Sequence, residues 1–140
     1  METLYTAEAL STGAGRAGRV TTPDGHLDLT MAPPREMGGS GDGANPELLF
    51  AAGYAACFHS ALQGVARSRK LAISESSVGS RVSIGPDGDG GYQLAVVLEV
   101  VLPGLPQDQA QELADAAHQV CPYSNATRGN IEVTVQVSDD

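Results

Sequence analysis

The segment that most constrains the fold is PELLFAAGYAACFHSAL, which begins at Pro46 and is the most apolar stretch of the chain. Its start carries three signals of a helix N-terminus. Asn45 can cap the helix, Pro46 suits the first helical position, and Glu47 lies where the positive end of the helix dipole favours an acid. We therefore predict a helix from Pro46 to about Arg69.

Between Leu48 and Phe58 this helix carries almost no polar residue on any face. A helix of that kind is buried all round, whereas a helix in a small domain usually shows one face to water. We therefore predict that a second subunit covers the face that the chain itself leaves open.

The rest of the chain combines short strand patterns with one further helix. Weak alternation punctuated by glycine predicts two or three short strands in the first 31 residues, and the Pro- and Gly-rich segment from Pro33 to Asn45 predicts a loop. Loops of this length are often functional lids or disordered segments. The later runs SVGSRVSIG, YQLAVVLEVVL and IEVTVQVS predict strands.

A second helix is predicted from about Pro106 to Val120, where Pro122 ends it. Its apolar residues at helical spacing are Ala110, Leu113, Ala114, Ala117 and Val120. The order of strands, helix, strands, helix and strand predicts an α+β fold, in a single domain of residues 1–140.

The formal net charge of −9 argues against nucleic acid or an anionic membrane surface as a partner. The N-terminal sequence METLYTAEALSTG lacks the basic start and the apolar core of a secretion signal. No uninterrupted apolar run reaches the roughly 18 residues of a membrane span. We therefore expect a cytoplasmic protein.

The chain has two cysteines, Cys57 inside the apolar helix and Cys121 in the stretch CPYSNATRGN. In a small cytosolic protein, two cysteines suggest catalysis or redox sensing more than a structural disulfide. A cysteine in an apolar helix is usually an inert small hydrophobic residue. Because burial raises the pKa of Cys57 and the helix dipole fades within a turn, a reactive Cys57 needs a cation from elsewhere in the fold.

Arg16 and Arg19, in the turn GAGRAGRV, are candidates to supply that cation, or else ordinary solvated residues of a turn. Glu47 suits a helix start by itself and is also a candidate to hold an arginine in place. Because Glu47 and Cys57 are about 15 Å apart along a straight helix, an arginine that contacts both requires a bent chain or a second subunit. We favour the second subunit.

Three other interpretations of the cysteines fit less well. CPYS resembles the redox motif of glutaredoxin-like proteins, but that motif places its cysteine at a helix start after an N-terminal strand. The cysteines together with His26, His59 and His118 show no zinc-ligand spacing. A Cys–His hydrolase would use His59 or His118, but His59 faces a different side of the helix from Cys57, and we predict that His118 lies on the surface.

Three stretches together, NPELLFAAGYAACF, CPYSNATRGNIEV and the GRAG turn, resemble the organic hydroperoxide resistance (Ohr) branch of the OsmC/Ohr family. The resemblance covers nearly the whole chain and includes both cysteines in their motifs. It implies that Cys57 is the peroxidatic cysteine and Cys121 the resolving cysteine. It further implies that Arg16 is the activating arginine and Glu47 its carboxylate partner, whereas Arg19 fits the pattern less well.

The same resemblance implies the architecture and the chemistry. It implies an intertwined homodimer whose antiparallel sheets wrap around central apolar helices, without haem, metal or flavin. The implied function is a thiol peroxidase that reduces alkyl, aryl or fatty-acyl hydroperoxides to alcohols through a Cys57–Cys121 disulfide. An external dithiol, such as a lipoyl group on a carrier protein, reopens that disulfide.

Apolar neighbours of Cys57 suggest the substrate class. We expect Phe50, Tyr54 and Phe58, with Met37 from the loop, to form an apolar entrance or else simply to be core. Two other functions stay open on the sequence. One is a redox sensor or binding protein in which the disulfide signals once, and the other is an inert dimeric scaffold with buried thiols.

Overall fold

The computed structural model describes residues 1–138 and forms two compact units, one of residues 1–49 and the other beginning at Phe50. Both contain strands, and the second also contains most of the helical residues. The α+β fold class is confirmed, and the single domain stays a prediction.

The first unit contains a three-stranded antiparallel sheet. Its strands are β1 (Leu10–Thr12), β2 (Arg19–Thr21) and β3 (Asp28–Thr30). This confirms the short strands that the glycine-punctuated alternation predicts. The segment 33–45 contains one 3-10 turn, Arg35–Met37, and a parallel bridge between Met31 and Ala44 closes it. The loop is therefore tied back to the end of the strand that precedes it.

Helix α1 (Pro46–Ser68) forms where the sequence predicts it. The Oδ1 atom of Asn45 accepts a hydrogen bond of 2.8 Å from the backbone N–H of Leu48, which is the capping contact expected at this position. Beyond the C-terminus Lys70 adopts a positive φ of 59°, and the backbone N–H of Leu71 donates to the carbonyl of Ala66. Both ends of α1 are thus closed by local hydrogen bonds.

Burial of α1 follows one stripe and does not extend all round. Its buried residues recur every four positions: Tyr54, Phe58, Leu62 and Ala66. On the opposite side Ala52 and Ala56 are exposed, and Leu48 is 56% exposed. The chain by itself therefore leaves one apolar face of α1 open, and the burial of that face by a second subunit stays a prediction. Composition reports that a face is apolar, but it does not report what covers that face.

By length and composition α1 could also cross a membrane, and it is the one helix in the part of the chain described here that could. No uninterrupted apolar run of the chain is long enough for a span, but α1 reaches that length because single polar residues lie between its apolar ones. Core helices of soluble proteins meet the same criterion, so the cytoplasmic location stays a prediction.

The second unit has one three-stranded sheet in the order β4, β5, β6. Its elements are β4 (Ser77–Pro86), β5 (Tyr92–Val101), α2 (Gln107–Val120), α3 (Pro122–Thr127) and β6 (Val133–Ser138). β4 and β5 form an antiparallel hairpin, whereas β6 pairs with β5 in parallel. The expectation of antiparallel sheets thus fails for this pair. Helices α2 and α3 connect β5 to β6 and return the chain to the end of the sheet at which β5 begins. The two strands therefore run in the same direction.

One apolar core joins α1, α2 and the sheet of the second unit. The buried stripe of α1 shares it with Val96, Leu98 and Val100 of β5 and with four residues of α2, namely Ala110, Leu113, Ala114 and Ala117. Alternate residues of the last strand region, Ile131, Val133, Val135 and Val137, pack against it as predicted. Val120, expected on the buried face of α2, is 61% exposed because the helix ends there.

Candidate active site

The two sulfur atoms, far apart in sequence, are neighbours in the second unit. Cys57 lies in the middle of α1, and Cys121 is the residue between α2 and α3. Their Sγ atoms are 3.7 Å apart, and both cysteines are free thiols. A disulfide bond requires about 2.0 Å, so a small movement of one side chain would join them.

The position of Cys121 depends on a short helix that the sequence argument missed. Cys121 has an extended backbone, with φ −66° and ψ 127°, and Pro122 starts α3 directly after it. The sequence predicts that Pro122 ends α2, but proline is also favoured at the first position of a helix, where it lies here. The turn between α2 and α3 therefore directs the Cys121 side chain towards α1.

The two thiols differ in exposure. Cys121 is fully buried, whereas Cys57 is partly exposed and lines an open groove of about 450 Å³. The other lining residues are mostly small or apolar: Ser60, Ala61, Gly64, Val65, Ser68, Val120 and Pro122. Tyr54 and Phe58 have no exposure, so their expected place at an apolar entrance is wrong and they belong to the core. Apolar ligands can reach Cys57 along the C-terminal half of α1.

Burial raises the pKa of Cys57, and its contact with Cys121 raises it further. A hydrogen bond from the backbone N–H of Tyr123 acts in the opposite direction and lowers the pKa. Within the second unit, among its described residues, no cationic side chain is a cause of the shift. A stable Cys57 thiolate therefore needs positive charge beyond what this unit supplies, as the sequence argument expected.

The Tyr123 amide is a further candidate site group that sequence reasoning did not find. The Tyr123 ring packs against α1 at Gly53, where a Cβ atom would lie only 2.6 Å from the tyrosine hydroxyl oxygen. Phe50 and Tyr54 flank the same ring, at centroid distances of 6.0 and 5.5 Å. A glycine inside an apolar helix was the available signal, because it often marks a close approach by another group.

Arg16 and Glu47, the other two predicted residues, form an ion pair in the first unit. Nη1 of Arg16 donates a hydrogen bond of 3.0 Å to Oε2 of Glu47, and Nη2 lies 2.8 Å from Oε1. Oε1 is buried and accepts no hydrogen bond from the described residues, so its contact with Arg16 is the ion pair. The pair raises the pKa of Arg16 and lowers that of Glu47, mainly through this hydrogen bond. Both groups are therefore charged over the whole physiological range.

The turn that carries Arg16 depends on glycine. Gly15 has a positive φ of 66°, and a Cβ at Gly18 would clash with the carbonyl oxygen of Thr12. Between them the chain makes a 3-10 turn, Gly15–Ala17. Arg19 follows in β2 and pairs with Asp28 of β3 at 2.6 Å. The two arginines thus have different partners.

The histidines take separate roles. Nε2 of His59 lies 2.9 Å from Oγ of Ser76. His118 is half-buried, with its Nδ1 2.7 Å from Oγ of Ser124, so the prediction of a surface residue is wrong. It lies one turn before Cys121, on the side of α2 that faces α3. Across residues 1–138, no group of three or more His, Cys, Asp or Glu side chains could hold a metal ion.

The sequence of the chain can be compared with those of known protein families and proteins. The model of the OsmC-like protein family matches residues 39–136. An organic hydroperoxide resistance protein of Xanthomonas axonopodis pv. citri is 53% identical over 137 residues, covering 96% of this chain and 95% of that protein. The protein OhrB of Bacillus subtilis is 45% identical, with 96% and 98% covered. The chain belongs to the Ohr branch of the OsmC family.

Solved structures of Ohr proteins agree with the fold of this family member. A crystal structure of an organic hydroperoxide resistance protein from Elizabethkingia anophelis is 50% identical, with a TM-score of 0.94 and complete coverage of both chains. This Ohr-branch chain therefore has the fold of the family over its full described length, which confirms the resemblance drawn from its motifs.

Proposed function

We propose that this protein is a cysteine-based peroxidase that reduces organic hydroperoxides to alcohols. The contact of 3.7 Å between Sγ of Cys57 and Sγ of Cys121 carries the proposal. It supports a peroxidatic and a resolving cysteine, since two free thiols so close can form a disulfide with little backbone movement. Similarity to proteins named for organic hydroperoxide resistance supports the substrate class.

The proposed cycle has three steps. The Cys57 thiolate attacks the distal oxygen of the hydroperoxide, the O–O bond breaks, and the alkoxide takes up a proton and leaves as the alcohol. Cys57 is then a sulfenic acid. The Cys121 sulfur attacks the Cys57 sulfur, water leaves with the thiol proton, and the disulfide forms. An external dithiol restores both thiols by exchange and is itself oxidised to a disulfide.

Arg16 is proposed to stabilise the Cys57 thiolate and the departing alkoxide, with Glu47 holding the guanidinium at a fixed angle. A thiol with an ordinary pKa near 8.5 is only about 3% ionised at pH 7, so full ionisation adds about 30-fold, or roughly 2 kcal/mol, and it adds more for Cys57, whose pKa is raised by burial. Any larger acceleration must come from holding the peroxide in line and from stabilising the developing negative charge. A fixed, permanently charged guanidinium suits both tasks.

The remaining proposals concern partners. We propose a cytoplasmic homodimer in which a second copy covers the exposed apolar face of α1 at Leu48, Ala52 and Ala56. The proposed reductant is a dithiol, such as a lipoyl group on a carrier protein, and the cycle uses no metal or organic cofactor.

Mass spectrometry after a single oxidation tests the proposal. One equivalent of an alkyl hydroperoxide should convert both thiols into an intramolecular Cys57–Cys121 crosslink, with one equivalent of alcohol released. Further peroxide should be consumed steadily once lipoamide or dithiothreitol is present. Consumption that stops after one equivalent despite the dithiol would instead identify a single-turnover redox sensor. No crosslink, with both thiols intact, would contradict the peroxidase.

Substrate preference provides a second prediction. The groove beside Cys57 is lined by apolar side chains, among them Ala61, Val65 and Val120. Bulky hydroperoxides should bury apolar surface there, at about 25 cal/mol per Å², whereas hydrogen peroxide has none to bury. We expect the second-order rate constant for cumene hydroperoxide to exceed that for hydrogen peroxide by about tenfold to a hundredfold. Stopped-flow measurement of the oxidation would test this. Equal rate constants would contradict this role of the groove.

A further inference from the structure

A continuous chain of buried hydrogen bonds links the three helices that surround the sulfurs. The Tyr54 hydroxyl of α1 lies 2.8 Å from Oγ of Ser124 and 3.1 Å from Oγ1 of Thr127, both in α3. Oγ of Ser124 also lies 2.7 Å from Nδ1 of His118 in α2. Tyr54 and Ser124 have no exposure and Thr127 is 5% exposed. Buried hydroxyl groups require hydrogen-bond partners, and this series of hydrogen bonds supplies a partner to each of them.

The donor and the acceptor in each of these hydrogen bonds can be assigned, starting from Thr127. Oγ1 of Thr127 donates to the carbonyl oxygen of Ser124 at 3.3 Å, so it can only accept from Tyr54. Tyr54 has one proton and gives it to Thr127, so it accepts from Ser124. Ser124 in turn accepts from His118, which must carry a proton on Nδ1. Burial lowers the pKa of His118 and Arg128 lowers it further, while Asp115 raises it, so the donor is a neutral imidazole at pH 7.

This series of hydrogen bonds lies one helical turn away from the two sulfur atoms. On α1, Tyr54 comes three residues before Cys57, and on the other side Ser124 comes three residues after Cys121. The hydrogen bond of 2.8 Å between Tyr54 and Ser124 and the sulfur contact of 3.7 Å are therefore adjacent contacts between the same two segments. Fixing the first contact limits the distance and angle available to the second.

We propose that Tyr54, Ser124 and His118 are positioning residues for disulfide formation, because their hydrogen bonds hold α3 against α1 with Cys121 facing Cys57. This inference rests on the proposed disulfide chemistry. None of the three residues is required to touch the peroxide. Their effect falls on the second step, in which the Cys121 sulfur displaces the oxygen of the Cys57 sulfenic acid as water.

Tyr54→Phe and Ser124→Ala test the inference with little change of volume. The first oxidation of Cys57, measured in the Cys121→Ser background, should stay within about twofold. Disulfide formation should become about tenfold to a hundredfold slower, the range expected when a reacting group loses its fixed position. Because the sulfenic acid then persists, excess peroxide should convert Cys57 to sulfinic acid more often than in the wild type, as mass spectrometry would detect.

His118 allows a conservative rescue. His118→Asn keeps an N–H donor near the position of Nδ1, whereas His118→Gln places its amide near Nε2 and loses the contact with Ser124. The asparagine variant should retain most of the disulfide-forming rate, and the glutamine variant should not. Ser80→Ala is the matched control, since it removes a buried hydroxyl that has no hydrogen-bond partner among residues 1–138. It should leave both steps unchanged.

An equilibrium measurement separates this inference from the peroxidase proposal. The stability of the Cys57–Cys121 disulfide in a dithiothreitol redox buffer needs no peroxide, and it should fall in Tyr54→Phe by the same factor as the rate. If Tyr54→Phe does not fold, the His118 pair provides the same comparison on a half-buried residue. A lower melting temperature with unchanged disulfide rate and equilibrium would overturn the positioning role, and so would equal slowing of both steps. A wild type that forms the disulfide in the buffer but never reduces peroxide would refute only the peroxidase.

Discussion

Replacing Cys57 with serine should abolish reduction of organic hydroperoxides, whereas replacing Cys121 with serine should leave the first reaction and remove the cycle. Serine is close in size to cysteine, but its hydroxyl is not ionised at neutral pH and cannot act as the proposed nucleophile. Cys121→Ser should therefore consume one equivalent of cumene hydroperoxide at nearly the wild-type rate and then accumulate Cys57 sulfenic acid. Trapping with dimedone and intact mass measurement distinguish the two variants.

The two cysteine variants also serve as controls for each other. Cys121 is fully buried and Cys57 partly so, and both contact the same core, so any general effect on folding should be seen in both. Far-UV circular dichroism should be unchanged. Activity in Cys57→Ser, or loss of the first equivalent in Cys121→Ser, would mean that the roles of the two sulfurs have been assigned the wrong way round.

Replacing Arg16 with alanine should lower the second-order rate constant at pH 7 by about a hundredfold to a thousandfold. Loss of the thiolate accounts for about 30-fold of this at the ordinary pKa of a thiol and for more at the raised pKa of Cys57. Removing a donor to a developing oxyanion typically costs a further hundredfold to thousandfold at most, about the size of the whole expected effect. Burial raises the pKa of Cys57, so without the guanidinium the rate should rise only at higher pH than in the wild type. A rate deficit of at least tenfold should persist when both proteins are fully ionised.

Arg19→Ala is the matched control for Arg16→Ala. Arg19 lies three residues later, forms an ion pair with Asp28 in an exposed position, and should be dispensable for the reaction. Glu47→Gln keeps a hydrogen-bond acceptor for Arg16 but loses the charge, and should give a smaller loss than Arg16→Ala. If Arg16→Ala matches the wild-type rate at high pH, its proposed role in stabilising the alkoxide is wrong.

Mixed dimers can decide which subunit supplies the arginine. Arg16→Ala should be at least about a hundredfold slower and Cys57→Ser inactive, but a dimer with one copy of each contains a complete site only if Arg16 acts on the partner's Cys57. Recovery of about a quarter of the wild-type activity on co-refolding equal amounts would show action across the dimer. No recovery, with mixed dimers present, would show action within one subunit.

The sequence was sufficient for features that local signals determine. Asn45, Pro46 and Glu47 predicted the start of α1, and the hydrogen bond from Leu48 to Asn45 confirms it. The family motifs brought Cys57 and Cys121 together as candidates, and the structure does place them in contact. The family motifs were needed for this prediction, because the spacing of two cysteines does not show whether they form a disulfide.

Features that depend on tertiary contacts could not be predicted. Helix α3 was missed because Pro122 both ends one helix and starts another. The parallel pairing of β6 depends on where two helices return the chain, which strand patterns do not encode. The contact of His118 depends on Ser124, which comes from the following helix. Tyr123, whose backbone amide donates to Cys57, packs its ring where Gly53 has no side chain. Backbone groups such as this amide leave no mark in the side-chain sequence.

In the proposed cycle, the unequal exposure of the two sulfur atoms determines which sulfur of the disulfide a reductant can attack. Cys121 has no accessible surface, whereas Cys57 opens on the groove along α1. An incoming dithiol can therefore approach only the Cys57 end of the disulfide, and Cys121 is the leaving group of that exchange. In that cycle the mixed disulfide with the reductant would thus form on Cys57, the residue proposed to react with the next peroxide. In the proposed cycle, reductant and hydroperoxide would therefore use the same groove, and a bound reductant would block access of a second hydroperoxide until the Cys57 thiol is free again.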